Sequence, residues 1–443
     1  MLRELAAHAG RALPEEAALP ALRSNGSLAQ ALLGVRNEGL PLIAEVKRAS
    51  PSAGPLLRGP VGAYLAAVRR GGACAVSAVT AQGRFAGSFG LLREAHATGL
   101  PTLMKDFVTG PAQLDAAVRH GASAVLLIEG LVDGDGREGL VRAAHDRGLE
   151  VLLEVNSLAQ DKKAAASRAD LLGVNSRDLA SLRVDLAAAA DVVRALAQSR
   201  PTLLLSGVLG PADADHAREA GAAGILVATS LLSSRDPATL ARALRRPLAK
   251  VCGNRTSADV LAAQGADLVG VVVASDSPRS VEAGAADPLL RQAESQGAAS
   301  VVVTREARPG ALLALARALR PTYVQVHGPL DPATVRSLQE AEVGVLHATA
   351  PDGRPAPGCD GTVTDTASAG GSGRQHDGRV PRGTGLHLVA GGLDAASVPA
   401  ALRRSGAAGV DASSRLETDG RKDPAKVHAF IAAAHAARRP HGA

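Results

Sequence analysis

The residues in this chain best suited to proton chemistry stand at the ends of short apolar runs. In "LIAEVKRASPS" (42–52) a strand would place Ile43, Glu45 and Lys47 on one face, because strand side chains alternate with period two. An acid and a base then lie side by side just before the chain breaks at Ser50-Pro51-Ser52. Other runs end in the same way: Lys105 in "TLMKDF", Glu154 and Asn156 in "EVLLEVN", Asn175 and Arg177 in "LLGVNSR", and Ser206-Gly207 in "TLLLSGV". Lysines and carboxylates desolvated together shift one another's pKa, which is how acid and base roles are divided. Further along, Cys252 closes "AKVCGN" and Asp365 closes "GTVTDT". A thiol and a carboxyl facing each other suit proton transfer beside a carbonyl or imine. Cys74 reads as core, and His327 in "YVQVHG" as structural. No His, Cys or carboxylate cluster has metal-ligand spacing, so no metal is expected.

A second set of residues suits anions. The last two apolar runs of each half end in small polar residues: "SGV" and "ATS" in the first half, "AGGL" and "DASS" in the second. Such ends let backbone N–H groups approach a phosphate. The candidates are Ser206, Gly207, Thr229 and Ser230 in the first half, and Gly391, Gly392, Ser413 and Ser414 in the second. Ser50 after the first run and Gly371 and Ser372 in "GGSG" (370–373) join the binding set.

What positions these residues is a repeat. Val/Leu/Ile runs alternate with Ala-rich segments that open with Pro and close with Gly, as in "PAQLDAAVRHGA", which is the pattern of parallel βα units. Eight such runs fall between residues 42 and 229, and eight more between 249 and 414. That count and spacing predict an α/β chain of two tandem (βα)8 TIM barrels, residues 1–247 and 248–443, with each active site at the C-terminal ends of the strands. Period alone leaves a doubly wound open sheet as the alternative. No helix is visible around 349–360 or 367–385, which read as loops.

Composition narrows the function classes. The chain has 443 residues, 46% of them hydrophobic, with Phe 4, Tyr 2 and Trp 0, so Ala, Leu and Val must fill the cores. The net charge of +6 is scattered beside acids. Nucleic acid is not expected, since stacking needs aromatics the chain lacks, and small anionic substrates suit the balance. Three cysteines predict a reducing compartment without disulfides, and the absence of an apolar leader or long apolar run predicts a cytoplasmic chain without a membrane span. Oligomeric state is not legible; a monomer is compatible with everything above.

In order and spacing, "IAEVKRASPS", "MKDF", "LLEVN", "GVNSRDL" and "SGV" resemble indole-3-glycerol-phosphate synthases. "KVCGN", "SPRSV", "VQVHG", "TDTASAGGSG", "VAGGL" and "GVDASSRLE" resemble phosphoribosylanthranilate isomerases. The tandem order is that of the bifunctional family of tryptophan biosynthesis. The resemblance implies two cofactor-free steps on sugar phosphates. In the first barrel it makes Lys105 the general acid at the substrate ketone. Glu154 and Lys47 would serve the dehydration, Glu45 would hold the lysine network, and Asn175 and Arg177 would position the anthranilate part. In the second barrel it makes Asp365 the acid that opens the ribose, Cys252 the base at C2′, and Arg279 a substrate-binding arginine. The sequence departs from the family at Leu205, where a glutamate is usual, and at Ala81 and Ala53. Leu205 leads to the expectation of an under-balanced, easily deprotonated lysine and a slow synthase; a silent, scaffold-like first barrel is the alternative. A sugar-phosphate isomerase of histidine biosynthesis would not account for "IAEVKRASPS".

Overall fold

The computed structural model describes Ala9 and residues 19–50, 54–57, 59–157, 160–177, 183–351, 353–365 and 385–437. The chain divides into two compact units, Met1–Ala241 and Arg242–Ala443. In the first, eight parallel strands form a closed ring: β1 (Leu42–Val46), β2 (Ala75–Val79), β3 (Thr102–Lys105), β4 (Ala124–Ile128), β5 (Glu150–Val155), β6 (Leu171–Asn175), β7 (Thr202–Leu205) and β8 (Gly224–Val227). Ile43 of β1 pairs with Ala75 on one side and Leu226 on the other, so the sheet has no edge and the open-sheet alternative falls. The second unit repeats the ring: β9 (Leu248–Val251), β10 (Leu268–Val273), β11 (Ala299–Thr304), β12 (Tyr323–His327), β13 (Gly344–Thr349), β14 (Gly361–Asp365), β15 (Leu386–Ala390) and β16 (Gly409–Ala412). Val251 pairs with both Val269 and Ala412, which closes it. Both units are (βα)8 barrels.

The strands read as unbroken apolar runs because a parallel barrel buries both faces. Alternation still sorts the side chains. Ile43, Leu103, Leu152, Leu171, Leu203 and Leu205 pack together inside the first ring. In the second ring Leu248, Val301, Tyr323, Val363 and Leu388 face inward, whereas Ala249, Val251, Val324 and Val326 pack against the helices. The same parity carries Glu45, Lys105, Glu154 and Asn175 into the first lumen, and Lys250, Cys252, Gln325, His327, Asp365 and Asp411 into the second. Helix α1 (Leu28–Gly34), capped by the Ser27 hydroxyl, sends Leu28 and Leu32 into the first core; Leu32 reaches Gly224 at the start of β8 and closes that end of the ring. Each unit holds one of the two tyrosines, Tyr64 and Tyr323, and both are buried. Residues 353–360 are irregular, as their Pro and Gly content predicts. Among the described residues no helix is long and apolar enough to cross a membrane.

One buried carboxylate bears on where the second unit can be cut. Asp267, 2% exposed, accepts from both terminal nitrogens of Arg246 at 2.9 and 3.0 Å, lies 3.0 Å from His435 Nε2 and 4.0 Å from Arg242 Nε. Burial alone would raise its pKa; His435 and Arg246 outweigh that and hold it well below the carboxylate range. A fragment of residues 248–443 lacks both arginines, and removing one side of a buried ion pair costs about 3–5 kcal/mol. We expect it to melt on the order of 10 °C below a fragment of residues 236–443. Equal melting temperatures in calorimetry would show that the arginines do not hold this end of the barrel.

Candidate active sites

In the first barrel β1 delivers Glu45, and Lys47 follows just past its end. Glu45 is 3% exposed. Lys47 Nζ donates to its Oε1 at 2.8 Å, and Lys105 Nζ, at the end of β3, lies 4.0 Å from its Oε2. Lys105 also stands 3.7 Å from Glu154 Oε2 on β5, while Asn175 Nδ2, at the end of β6, donates to Glu154 Oε1 at 2.9 Å. The side chains Lys47, Glu45, Lys105, Glu154 and Asn175 thus form one line across the mouth. Burial would raise the Glu45 carboxyl, but Lys47 and Lys105 hold it below its ordinary value. Burial favours a neutral amine at Lys105, yet Glu154 and Glu45 hold it above the usual lysine value. Both carboxylate oxygens facing Lys105 accept no hydrogen bond. The mouth therefore presents a stable ammonium to a ligand oxygen.

The remaining candidates of this half lie on the surrounding loops. The Arg177 amide donates to Asn175 Oδ1 at 3.0 Å, which fixes the amide that reaches Glu154. Ser206 and Gly207 follow β7 with φ of 64° and 78°; the left-handed backbone at a serine is strain of the kind stored at ligand loops. Thr229 opens a single helical turn after β8, and Ser230 Oγ donates to the Val208 carbonyl at 3.0 Å, tying that turn to the loop after β7. Ser50 pairs with Gly54 in a two-residue ribbon after β1, and only its backbone is described. Ala81 is buried in the core, and Ala53 lies outside the described residues.

The second barrel is built around a buried cation. Lys250 of β9 is 0% exposed and donates to Asp411 Oδ2 of β16 at 2.8 Å. Two residues on, Cys252 faces the same lumen, with Sγ over Gly270. Burial pushes the thiol up, Lys250 pulls it down, and the net position is above an ordinary cysteine. His327 is held down to about 4 by burial and by Lys250, so its ring is neutral at pH 7; Gln325 Nε2 lies 2.8 Å from its Nε2. Asp365 ends β14 on the inward parity. Gly253, at φ 77°, has no room for a side chain, since a Cβ there would sit 2.6 Å from Arg279 Cδ and 2.7 Å from Ser413 Oγ. That close approach brings Arg279 and the Ser413–Ser414 turn to the end of β9. Arg279 is held by a two-point ion pair with Glu417 at 2.8 Å for each contact, and Lys422 Nζ bridges Glu417 Oε1 at 2.9 Å and the Ser413 carbonyl at 3.1 Å. Gly391 and Gly392 follow β15, both with positive φ. Gly371 and Ser372 lie outside the described residues. Among the described residues no group of three or more His, Cys, Asp or Glu could hold a metal ion.

Residues 6–244 match the family model of indole-3-glycerol phosphate synthase, more than half of the chain. The chain belongs to the indole-3-glycerol phosphate synthase family. A domain of the N-(5'phosphoribosyl)anthranilate isomerase family follows it in tandem, over residues 249–433. The synthase half is 39% identical over 208 residues to the indole-3-glycerol phosphate synthase of Mycobacterium tuberculosis, covering 46% of this chain and 76% of that one. The whole chain is 29% identical over 447 residues to a multifunctional tryptophan biosynthesis protein of Schizosaccharomyces pombe, 88% of this chain but 59% of that protein's length. Among solved structures, the phosphoribosyl anthranilate isomerase of Thermococcus kodakaraensis is 27% identical and aligns with 42% of this chain and 98% of that one, at a TM-score of 0.36.

One expectation for the synthase barrel needs correction. Leu205 was to leave its lysines under-balanced, yet Lys105 has two carboxylates beside it and is raised, not lowered. Leu205 itself is 1% exposed and packs over Gly173, where a Cβ would come within 2.6 Å of its Cδ1. A glutamate in that slot would bury a further carboxylate among leucines. We therefore expect Leu205→Glu to lower the melting temperature by several degrees and to leave the alkaline limb of the synthase pH profile in place. An alkaline limb extended by the substitution would restore the balance argument.

Other residues of the isomerase barrel escaped sequence reading. Asp411, Gln325, Glu417 and Lys422 were not singled out. Asp411 and Gln325 carried a signal, since each is a polar residue at the inward parity of an apolar strand. Glu417 closes the motif "GVDASSRLE", but its pairing left no mark in the sequence, since it stands 138 residues from the arginine it grips.

Proposed function

We propose that the chain catalyses two consecutive steps of tryptophan biosynthesis: isomerisation of N-(5-phosphoribosyl)anthranilate in the second barrel, and conversion of the resulting carboxyphenylamino-deoxyribulose phosphate to indole-3-glycerol phosphate in the first. The observation that carries the reading is that each family domain retains its own lumen of inward-facing acids and bases.

In the isomerase barrel Asp365 gives a proton to the ribose ring oxygen as the C1′–O bond breaks and the anthranilate nitrogen takes up the electron deficiency as an iminium. The Cys252 thiolate then removes the C2′ proton. The C–H electron pair becomes the C1′–C2′ double bond, and the enaminol tautomerises to the ketone. Arg279 offers its outer N–H groups to the substrate's carboxylate, held in place by Glu417. The turns at Gly391-Gly392 and Ser413-Ser414 take the phosphate.

In the synthase barrel Lys105 protonates the ketone oxygen as the ring carbon bearing the carboxylate attacks it. Loss of CO₂ returns the electron pair to the ring, and Glu154 and Lys47 carry the protons of the dehydration. Asn175 and Arg177 orient the anthranilate part, and the loops at Ser206-Gly207 and Thr229-Ser230, with Ser50, hold the phosphate end. All the ligands in this scheme are small anions, in keeping with cationic groups at both mouths.

Supplying phosphoribosylanthranilate to the full chain and separating the products by chromatography tests the scheme. Indole-3-glycerol phosphate is the expected end product. Accumulation of the carboxyphenylamino intermediate alone would make the first barrel a scaffold, and unchanged substrate would overturn both assignments.

A further inference from the structure

Lys250 is the most deeply buried charge in the second barrel, and nothing in the reaction scheme above uses it. It sits in the middle of β9, a strand whose other inward residues are apolar until Cys252. A lysine there loses its hydration entirely, a cost that a leucine would avoid. Its Asp411 partner meets it with one oxygen; the other, Oδ1, is buried and accepts no hydrogen bond. Two hydrophobic residues would pack this layer more cheaply, so the pair calls for a role other than stability.

Its place in the lumen supplies one. Residues two apart on a strand share a face, so the Lys250 stem and the Cys252 thiol lie on the same wall of the barrel, one layer apart. Taking the above reading of Cys252 as the base at C2′, we infer that Lys250 is a positioning residue for the isomerisation: its ammonium, kept charged by Asp411, lies beneath the Cys252 sulfur and compensates the negative charge that the sulfur must carry before it can accept a proton. The other charged groups around that sulfur cannot replace it. Asp411 on β16 opposes a thiolate. Lys422, from the ribbon after β16, is engaged with Glu417 and Ser413. Arg279 is neutralised by Glu417. Gly270 on the neighbouring β10 offers nothing to titrate, and the His327 ring on β12 is neutral. Asp365 lies at the end of β14, further round the ring, and is itself an acid.

The test reads the thiol directly. The rate of iodoacetamide alkylation of Cys252, followed by peptide mass spectrometry so that Cys74 and Cys359 do not interfere, is measured against pH in the wild type, in Lys250→Met, and in Lys250→Met combined with Asp411→Leu. The double variant replaces the pair by apolar residues of similar volume and keeps the fold if the orphaned Asp411 of the single variant does not. The expected result in Lys250→Met is an alkaline displacement of the alkylation profile by at least about one pH unit, hence about tenfold slower alkylation at pH 8. In the double variant, which also loses the opposing Asp411, a smaller displacement in the same direction is expected. Isomerase kcat falls at least as far, with KM little changed. A folded double variant with the wild-type alkylation profile would overturn the proposal and leave the pair structural. A displaced profile with undiminished isomerase kcat would overturn it as well. Cys252→Ala separates the two readings: if that variant keeps its isomerase activity, the assignment of the base has failed, whatever the alkylation profile shows.

Discussion

We expect Lys105→Ala to abolish indole-3-glycerol phosphate formation by the full chain and to leave the isomerase rate unchanged. A positioned general acid is worth about 10²–10⁴ in rate, and among the described residues Lys105 is the one cation flanked by both buried carboxylates of the first mouth. The measurement is conversion of carboxyphenylamino-deoxyribulose phosphate, which bypasses the second barrel. The pH dependence carries the same argument. Glu154 and Glu45 raise Lys105 above its ordinary value, so the acid stays protonated through neutrality, and the alkaline limb attributable to it lies above the range of an unperturbed lysine. Removing the ammonium also leaves Glu154 and Glu45 facing each other with one cation fewer, so a thermal melt accompanies the assay. Lys105→Met, which keeps the length of the stem, separates lost chemistry from lost packing. Wild-type conversion by a folded Lys105→Met enzyme would remove the lysine from the mechanism.

Cys252→Ala and Asp365→Asn are each expected to abolish isomerisation, by about 10²–10⁴ in kcat, while conversion of supplied carboxyphenylamino-deoxyribulose phosphate continues at the wild-type rate. The two residues act on different bonds of one reaction, so the double variant loses little more than either single one, as groups working as a unit do. Cys252→Ser is the more searching variant. Its hydroxyl occupies nearly the same volume over Gly270, but it cannot ionise in a site that already pushes a thiol upward. Isomerase activity retained by both Cys252→Ala and Asp365→Asn would move the chemistry to other groups of the lumen, with Gln325 and His327 the next to test.

The elements were legible because a parallel barrel writes its strands as separate apolar runs: "TLMKDF" contains Thr102–Lys105 and "LLGVNSR" contains Leu171–Asn175. Closure was not legible, since the pairing of Ile43 with Leu226 joins residues far apart in the chain and leaves no periodic mark. The polar strand ends of the first half stood out because each is charged or amidic at the inward parity, and the fold brings Glu45, Lys47, Lys105, Glu154 and Asn175 together. What composition could not convey was balance. From Leu205 alone a missing carboxylate looks like a missing charge, whereas Lys105 is satisfied from two other strands. The second site was read only at its rim. Cys252 and Asp365 were visible as strand ends, but Lys250 and Asp411 lie deeper, and their pairing depends on a register that joins the first strand of the ring to the last.

The placement of the two tyrosines has an optical consequence. With no tryptophan in the chain, ultraviolet emission arises from Tyr64 in one barrel and Tyr323 in the other, one chromophore for each. Tyr64 donates its hydroxyl to the Glu45 carbonyl at 3.0 Å, so its emission reports on the strand that carries the first site. Replacing either tyrosine by phenylalanine leaves a signal from a single barrel, and the melting of each can be watched inside the intact chain without cutting it. An indole formed in the first lumen would emit at longer wavelength than either ring, where the protein itself contributes no tryptophan emission.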